Sequence, residues 1–364
     1  MKISHLVLKG VNNFEDFSYC FEDDWMQTAP DALLVIGPNG SGKTTLLRAI
    51  GNLWHLLRLF LEGRSCTQTS RFSLFYNTQL AAMSLSDFLP EQKFWVYQGR
   101  EHEVRRFLQE HQDGHKMGAV RVTVGNPERY KIHYLPPGHS EPQEASLSHT
   151  FLDDLRDRYV KNRLGDRVNL ANMILLESEK RTLERIEEEE GIPEMGIGID
   201  NLAYRVVPER EDFHWLAVYH PTSRRKGSIE NYLFTLKAIN EPKYERIVSA
   251  VNMFLLEKKI IGFDSTTGDL LIQTESKQIH PAHLLSSGEK QMLLMTAFIA
   301  RELRPGGMVL IDEPDLYLDV SLSNAFVNHL KRMVAEQKGQ LIITSHSPEV
   351  WQYFTEAQKV YLFS

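Results

Sequence analysis

Cysteine is scarce in this sequence. Its 364 residues include only Cys20 and Cys66, which are far apart and belong to no C-x-x-C pair. A zinc site built from cysteines is therefore excluded, and such sparse use of cysteine is typical of a reducing compartment. We expect a cytoplasmic protein.

Long apolar runs and an excess of basic residues are also missing. The net charge of −7 offers no global attraction for nucleic acid, so any such contact depends on a local basic patch. The first residues, "MKISHLVLKG", lack the apolar core of a signal peptide, and the apolar segment "NLWHLLRLFL" is interrupted by His55 and Arg58. We expect no membrane span.

Enough apolar sequence is present to form a core. With 42% apolar residues the chain can fold as one large domain or two, and it contains no internal repeat. Over residues 3–21, two alternating runs around an Asn-Asn turn predict two strands. A third strand, "ALLVIG", runs directly into "GPNGSGKTT", and the helical spacing after that loop continues to Gly63.

The remaining chain alternates between strand and helix patterns. "AVRVTVGNPERYKIHYLP" predicts a hairpin that turns at 125–128, and a charged, helix-favouring stretch without a sustained heptad covers about 148–190. A helical pattern follows over 228–257, and then the hairpin-like "IIGFDSTTGDLLIQT". Helices at 289–303 and 321–337 alternate with the strands "MVLID", "LIITS" and "KVYLF". These patterns predict an α/β protein.

The segment 37–44 matches the pattern G-x-x-x-x-G-K-[ST]. Its glycines let backbone N–H groups surround phosphate oxygens, and the following helix directs its positive end at them. Lys43 is expected to reach the β- and γ-phosphates, and Thr44 to hold Mg²⁺ through its hydroxyl. The alternative is a glycine-rich turn that caps an ordinary helix. The predicted phosphate-binding residues are Asn39, Gly40, Ser41, Gly42, Lys43, Thr44 and Thr45.

Two later strands end in polar residues. "GMVLIDEPDLYLD" places Asp312 at the carboxyl end of an apolar strand, where it can orient the Mg²⁺ shell. Glu313 is then free to polarise an attacking water. "LIITSHSP" ends in His346, which can hydrogen-bond a γ-phosphate and detect its loss. Alone, the acidic pair fits a solvated turn and the histidine a surface residue, but the phosphate loop upstream favours the catalytic interpretation.

A second small-residue turn, "LSSGEKQ", precedes the helix near Glu289. Ser286, Ser287 and Gly288 offer hydroxyl and backbone donors at the positive end of that helix, which is a phosphate-binding surface. In the alternative interpretation, Ser286 or Ser287 caps the helix. The two roles can coexist.

In this order, "GPNGSGKTT", "LSSGEKQ", "IDEPDLYLD" and "TSHS" resemble the Walker A, signature, Walker B with D-loop, and switch-histidine motifs of ABC-type ATPases. The "NNF" turn, "DEP" and "SHSP" resemble the SMC, RecF and OLD group more than membrane transporters. The resemblance implies an ABC-type P-loop ATPase head, with a mixed sheet and antiparallel N-terminal strands, formed by 1–140 and 262–364. It also implies a mainly helical insert for partner binding at 141–261.

The same resemblance implies a shared active site. In that family two heads enclose two nucleotides, and each site combines the Walker motifs of one chain with the signature of the other. By this resemblance, Ser286 and Gly288 contact the γ-phosphate held by Lys43 and Thr44 of a second copy, and Asp319 lies at the dimer seam. The implied cofactors are ATP and Mg²⁺, and the implied activity is ATP hydrolysis by a homodimer, with a higher assembly left open.

Segments that are absent narrow the resemblance. OLD-type nucleases continue into a Toprim nuclease domain, whereas this sequence ends at Ser364, and SMC arms are far longer than the region 140–260. The remaining resemblance is to stand-alone ATPase subunits of bacterial anti-phage systems, such as PtuA of the Septu type, which pairs with a separate HNH nuclease. We therefore expect a separate effector subunit, a nuclease. The family's coupling glutamine is expected at Gln79 or Gln98.

Nucleic acid is a second expected partner class, bound directly or through the effector. "RDRYVKNRLGDR" at 156–167 has the interleaved acids of a solvated helix face, and "SRRK" at 223–226 is the sharper candidate for contacting a phosphate backbone. His111 and His115 have the spacing of helical metal ligands, but Gly114 between them favours solvent-exposed roles. Two functions therefore compete: an ATP-gated switch that controls an effector, and a RecF-like ATPase that binds duplex DNA in repair or recombination. The negative net charge favours the first.

Overall fold

The computed structural model describes most of the chain. The described residues are 1–22, 28–62, 78–89, 92–122, 129–139, 143–144, 150–163, 170–181, 214–219 and 229–362. Three expectations fall outside them: the helix end at Gly63, the hairpin turn at 125–128 and the basic segment at 223–226.

The described elements alternate between strands and helices along the chain. The strands are β1 (Lys2–Val11), β2 (Phe14–Cys20), β3 (Ala32–Ile36), β4 (Leu80–Leu89), β5 (Gln92–Arg100), β6 (His115–Val122), β7 (Arg129–Leu135), β8 (Gln143–Glu144), β9 (Met173–Leu176), β10 (Leu216–Val218), β11 (Lys258–Phe263), β12 (Leu270–Thr274), β13 (Ile279–Pro281), β14 (Met308–Ile311), β15 (Gln340–Thr344) and β16 (Lys359–Tyr361). The helices are α1 (Lys43–Leu61), α2 (Glu101–Glu110), α3 (Thr150–Arg163), α4 (Ile229–Ile239), α5 (Glu241–Asn252), α6 (Ser287–Glu302), α7 (Val320–Glu336) and α8 (Pro348–Trp351).

These strands form three described sheets. A six-stranded parallel sheet has the order β10-β9-β14-β15-β3-β16. A seven-stranded sheet has the order β2-β1-β4-β5-β6-β7-β8 and is antiparallel except for β5 and β6, which α2 connects. Strands β11, β12 and β13 form a small antiparallel sheet. The predicted α/β class with antiparallel N-terminal strands is confirmed.

The parallel sheet is buried on both faces. Because successive side chains of a strand point to opposite sides, Leu33 and Val35 of β3 face one core, and Leu34 and Ile36 face another. The first core is shared with α1 and the seven-stranded sheet, and the second with α4, α5, α6 and α7. Two-sided burial explains why β3, β9 and β14 are continuous apolar runs.

Helix α1 lies in the first core. Leu47, Ile50, Trp54 and Leu57 recur at helical spacing and are fully buried. Trp54 stacks on Trp215 with ring centroids 4.1 Å apart, and each indole N–H donates to the other residue's backbone oxygen. This pair fixes the segment that leads into β10 against α1.

Strand β9 corrects the prediction of a helical stretch at 148–190. Helix α3 occupies the start of that stretch, but β9 pairs with β14 in the parallel sheet, and β10 pairs with β9. The four apolar residues of β9 are all buried, which suits a strand covered on both faces better than a charged helix. The region 141–261 therefore supplies two strands of the central sheet, and its division from the head stays a prediction.

Candidate functional site

The phosphate-loop segment 37–45 joins β3 to α1 at the carboxyl edge of the parallel sheet. Gly40 and Gly42 have φ angles of 80° and 96°, in the left-handed region that favours glycine. A Cβ on Gly42 would lie 2.9 Å from Cζ of Phe14, so the close packing also requires glycine. Gly42 is the N-cap of α1 and offers no side-chain cap, so the first N–H groups of the helix face the loop.

Lys43 and Ser41 place further donors in this loop. Lys43 is 5% exposed, and its Nζ donates to the backbone oxygens of Gly37 and Pro38, both at 3.0 Å. Burial lowers the pKa of Lys43, and the nearby carboxylates of Glu313 and Asp312 only partly offset that shift. The Ser41 hydroxyl is buried and has no hydrogen-bond partner among the described residues. A buried cation and an unsatisfied hydroxyl beside helical N–H groups fit the oxygen atoms of a phosphate.

The turn between β1 and β2 supports the phosphate loop. The sequence patterns did not predict this contact. Asn12 has a φ of 46°, and Asn13 Nδ2 donates to the backbone oxygen of Gly40. Phe14 packs on Gly42, as described above. The signal was the "NNF" turn itself, because asparagine tolerates positive φ and its amide can bond to backbone groups.

Asp312 gathers three hydroxyl groups at the end of β14. Its Oδ2 accepts hydrogen bonds from Thr44 Oγ1 at 2.8 Å and Ser178 Oγ at 3.0 Å, and its Oδ1 accepts one from Thr344 Oγ1 at 2.7 Å. Asp312 is 2% exposed. The structure thus brings the predicted Thr44 and Asp312 together, and their hard oxygen atoms are the ligand type that Mg²⁺ prefers. Ser178 was not predicted because it follows β9, the strand that the sequence pattern did not reveal.

Glu313 and His346 meet beside this cluster. His346 Nε2 lies 2.9 Å from Glu313 Oε1, and both side chains are partly exposed. Glu313 has a φ of 50°, a left-handed conformation that costs a non-glycine residue about 1–2 kcal/mol. Its N–H donates to Thr344 Oγ1 at 2.9 Å. Neighbouring carboxylates 312 and 313 therefore have different partners.

Arg181 is a further residue of the site that the sequence did not reveal. It is 2% exposed, and its Nη2 donates to the backbone oxygen of Glu313 at 2.8 Å. Burial lowers the pKa of Arg181 to about 10, although Asp312, Glu313 and Asp315 oppose that shift, so the group is a cation at neutral pH. Nothing in "LESEKRTLERIEEEE" distinguishes this arginine from the charged residues around it.

The turn that carries Ser178 and Arg181 is attached to α1. Glu177 is 4% exposed and forms ion pairs with Arg48 of α1 and with Lys180. Burial acts to raise the pKa of Glu177, but hydrogen bonds from Lys180 and Arg48 outweigh it and lower the pKa. The carboxylate is therefore charged at neutral pH and holds the turn in place.

Ser286 caps α6, as the alternative interpretation of the serine-glycine turn predicts. Ser286 Oγ accepts from the Glu289 N–H at 3.3 Å, and Glu289 Oε2 accepts from the Ser286 N–H at 2.8 Å. Lys258 Nζ lies 2.9 Å from the same Glu289 oxygen. Ser286 and Ser287 are exposed, and among the described contacts none joins this turn to Lys43 or Thr44 of the same chain.

Gly288 packs α6 against the segment that follows β14. A Cβ on Gly288 would lie 2.7 Å from the backbone oxygen of Tyr317 and 2.9 Å from Leu318 Cδ2, so the close approach requires glycine. Asp319, the predicted seam residue, is the N-cap of α7 and accepts from the Leu322 N–H at 3.0 Å. That hydrogen bond lowers the pKa of Asp319. The turn and Asp319 are thus held in neighbouring segments.

Gln79 and Gln98 both belong to the seven-stranded sheet region. Gln79 N–H donates to the Lys9 backbone oxygen at 3.0 Å, and Gln98 lies in β5. Among the described residues, neither glutamine has a contact with the phosphate loop. The end of β9 next to β14 carries Glu177 and Ser178 instead. The coupling glutamine stays a prediction.

The histidine pair corrects the expectation of solvent-exposed roles. His111 follows α2 and His115 begins β6, so the two do not share a helix. His115 is buried with its Nδ1 2.6 Å from Tyr134 Oη, and His111 packs on Trp95. In the described part of the chain, no three His, Cys, Asp or Glu side chains are grouped to hold a metal. Within the same part, every helix is too short or too polar to span a membrane.

Solved SMC head domains are similar to this chain over most of its length. The SMC head bound to the C-winged helix domain of ScpA is 15% identical with a TM-score of 0.48, covering 97% of this chain and 92% of that one. The SMC head domain from Thermotoga maritima is 15% identical with a TM-score of 0.44 and the same coverage.

Two protein-family models match the chain. One, described as "AAA domain, putative AbiEii toxin, Type IV TA system", matches residues 202–350, and another, described as "AAA domain", matches residues 1–58. An uncharacterized ABC transporter ATP-binding protein of Methanocaldococcus jannaschii is 37% identical over 86 residues, which is 24% of this chain. The matched segment spans 15% of that curated relative.

Proposed function

We propose that the chain is a P-loop ATPase of the AAA/ABC type, and that it acts as a Mg²⁺-dependent switch that binds and hydrolyses ATP between two copies of itself and controls a separate effector. One observation carries the proposal: the phosphate loop, Asp312, Glu313 and His346 converge at one edge of the parallel sheet. They follow β3, β14 and β15, which are neighbours in that sheet. Ligands of parallel sheets bind at the carboxyl ends of the strands.

The triphosphate is the ligand that this edge fits. The loop 39–45 would surround the phosphates with N–H groups, and the Lys43 ammonium and the Ser41 hydroxyl would gain phosphate oxygens as partners. Thr44 and Asp312 would hold Mg²⁺, which neutralises charge on the phosphates during transfer.

Glu313 is the proposed general base. Its carboxylate polarises a water whose oxygen attacks the γ-phosphorus, the bond to the β–γ bridging oxygen breaks, and Glu313 takes the proton of the water. The 2.9 Å contact with His346 orients that carboxylate. We assign His346 the further role of contacting the γ-phosphate, so that its position responds to hydrolysis. ADP and phosphate are the products.

A second copy is proposed to complete each site. The serine-glycine turn lies at the N-terminus of α6, which attracts anions, and its hydroxyls face solvent. Leu284, Tyr317 and Val320 are large apolar side chains that are 60%, 67% and 51% exposed. Exposed apolar groups near an anion-binding turn suit an interface between two proteins. In this proposal Ser286 and Gly288 contact the γ-phosphate of the partner copy, and Asp319 lies at the seam.

The variant Glu313→Gln tests the homodimer directly. It should bind ATP but not hydrolyse it, so the ATP-bound dimer should persist. Light scattering after gel filtration should show a mass near twice that of the monomer with Mg²⁺ and ATP, and the monomer mass without them. Lys43→Ala, which lacks the phosphate contact, should remain monomeric under both conditions. Two equal monomer masses for Glu313→Gln with and without ATP would contradict the proposal.

The effector is proposed to be a nuclease of a bacterial anti-phage system. The motifs resemble stand-alone ATPase subunits of such systems, and the description of the matching family model names a toxin of a toxin–antitoxin system. Expressed together with the product of its neighbouring reading frame, the wild-type chain should reduce phage plaque formation, and Lys43→Ala should abolish the reduction. If the wild-type chain and Lys43→Ala reduce plaque formation equally, ATP does not control the effector.

A second candidate function, a RecF-like ATPase that binds DNA, is favoured by one groove beside α2. The lining of this groove of about 760 Å³ consists of Arg100, Arg105, Arg106 and Arg121 together with Glu101, His102 and Gln109. Arg105 and Arg106 are paired with exposed carboxylates of the same helix, and such exposed pairs exchange partners at little cost. If this candidate is correct, the isolated protein binds duplex DNA with an affinity that falls steeply as salt rises, and Arg100→Glu weakens binding.

A further inference from the structure

Arg181 connects the turn that carries Glu313 with helix α6. In the proposed mechanism, these two parts of one chain act on different nucleotides. Its Nη2 donates to the Glu313 backbone oxygen at 2.8 Å, and its Nη1 lies 3.3 Å from Met295 Sδ on α6. Its own backbone oxygen accepts a hydrogen bond from Nε2 of Gln291, also on α6. One buried residue therefore contacts both the turn after β14 and the helix that begins at the serine-glycine turn.

The contacts on α6 lie on one face of the helix. Gln291 and Met295 are four residues apart, which places them one turn apart on the same side, and both are buried. Gln291 lies in the second turn from the capped N-terminus at Ser286. Because helical hydrogen bonds fix the rise per turn, a displacement of the first turn moves Gln291 with it.

The other end of the connection is a strained residue. Glu313 has a φ of 50°, which its surroundings must maintain. Its backbone oxygen accepts from Arg181 and from the Leu316 N–H at 3.1 Å, and its N–H bonds to Thr344. Rotation of the 313 peptide would break the arginine contact, so Arg181 resists relaxation of the strained turn.

We propose that Arg181 is a positioning residue that holds Glu313 in its left-handed conformation and ties the direction of its carboxylate to the position of α6. The inference rests on the proposed ATP hydrolysis and on the proposed sharing of sites. In such a dimer, α6 of one chain engages the nucleotide held by the partner, while Glu313 of the same chain serves its own nucleotide. Arg181 and Gln291 then make hydrolysis at one site depend on engagement at the other.

The first test is Arg181→Lys, which keeps a buried cation but loses the planar fork that reaches both Glu313 and α6. We expect kcat for ATP hydrolysis to fall about tenfold, as for other residues that orient catalytic groups, while the Kd for ATP stays within about twofold. Arg58→Lys is the matched control, since Arg58 pairs with Glu62 at the far end of α1. That variant should keep the wild-type kcat.

Gln291→Met provides a second test that leaves Arg181 in place. It removes the amide donor to the arginine backbone but keeps the length of the side chain and a good helix former. We expect kcat to fall about threefold and the Hill coefficient for ATP to move toward 1, because the two sites lose their connection. In the double variant with Arg181→Lys, kcat should equal that of Arg181→Lys alone, since both changes break one chain of contacts.

Three results separate the possible failures. No ATP turnover by the wild-type chain, or turnover unchanged in Glu313→Gln, would overturn the proposed function itself. Turnover that requires Glu313 but keeps its wild-type kcat in Arg181→Lys would overturn only the role of Arg181. A tenfold weaker Kd for ATP in Arg181→Lys, with kcat unchanged, would also overturn it by showing that the residue supports binding rather than the orientation of the base.

Discussion

The two halves of the proposed site are built in opposite ways. In the Walker half, Asp312 is 2% exposed and already accepts three hydrogen bonds from hydroxyls of its own chain. In the serine-glycine half, Ser286 is exposed, and its described polar contacts are those of a capping box. The Walker half is preorganised, so it needs only the nucleotide and Mg²⁺ to be complete. The exposed serine-glycine half can still gain hydrogen-bond partners from another molecule. In the proposed function, the chain builds the Walker half from its own residues, and a second copy completes the site.

The largest effect is expected at the preorganised half. Glu313→Gln removes the proposed base, so kcat should fall about 1,000-fold while ATP binding persists, as measured by steady-state phosphate release and nucleotide titration. Glu336→Gln, an exposed acid at the end of α7, serves as the control and should retain the wild-type rate. If kcat falls less than tenfold in Glu313→Gln, another residue is the base, and the Walker half does not hold the catalytic group.

A second test compares a buried histidine on α7, His329, with an exposed histidine outside that helix, His139. Burial lowers the pKa of His329 on α7 to about 4, so the folded protein keeps it neutral while the unfolded chain takes up a proton below its ordinary pKa of 6.5. Stability is therefore complete above pH 6.5 and is lost as the pH falls toward 4, by roughly 3 kcal/mol from this group.

Urea unfolding at a series of pH values measures that loss. His329→Leu should lower stability at pH 7.5 but flatten its decline between pH 6.5 and 4, because the titrating group is gone. His139→Leu, a change of an exposed histidine, should leave the decline unaltered. An unaltered decline in His329→Leu would show that burial at this position does not control the acid response.

The third test separates the two roles of the serine-glycine turn. Ser286→Asp keeps a good N-cap but adds a negative charge next to the γ-phosphate of the partner copy, so turnover should fall about tenfold with Tm unchanged. Thr355→Asp makes the same change in another exposed capping box and should affect neither quantity. If Ser286→Asp keeps the wild-type turnover, the serine-glycine turn only caps α6 and does not contact the γ-phosphate of a partner copy.

The smallest expected effect concerns the other exposed cap. Asp319→Ala removes the acceptor for the first turn of α7, so Tm should fall by roughly 2 °C. Asp319→Asn keeps the cap and should restore Tm. If Asp319 also lies at the seam, both variants shift the ATP-dependent dimerisation to higher protein concentrations. Dimerisation that is unchanged in both would limit Asp319 to its capping role.

Most of the fold could be predicted because its signals are local. The glycine loop, the apolar run of β14 and the capping serine of α6 each report their structure within a few residues. Strands β9 and β10 could not be predicted in the same way. Each is four residues or fewer, and their burial depends on neighbours that are distant in sequence.

The candidate site divides along the same line. The Walker residues were found because their motifs are contiguous, whereas Ser178 and Arg181 enter the site only because β9 pairs with β14. Asn13 was visible as part of a turn, but its bond to Gly40 depends on how that turn and Phe14 of β2 pack on the phosphate loop. His115 shows the converse, since Gly114 next to it favoured an exposed role and its place in β6 buries it.

The central claim, that the two halves of one working site come from two chains, is tested most directly by mixing two inactive variants. Lys43→Ala damages the preorganised half, and Ser286→Arg damages the exposed half. A heterodimer of the two retains one site with both halves intact, so the mixture should regain about one active site per heterodimer, measured as ATP turnover across mixing ratios. A mixture no more active than either variant alone, under conditions where heterodimers form, would contradict the account.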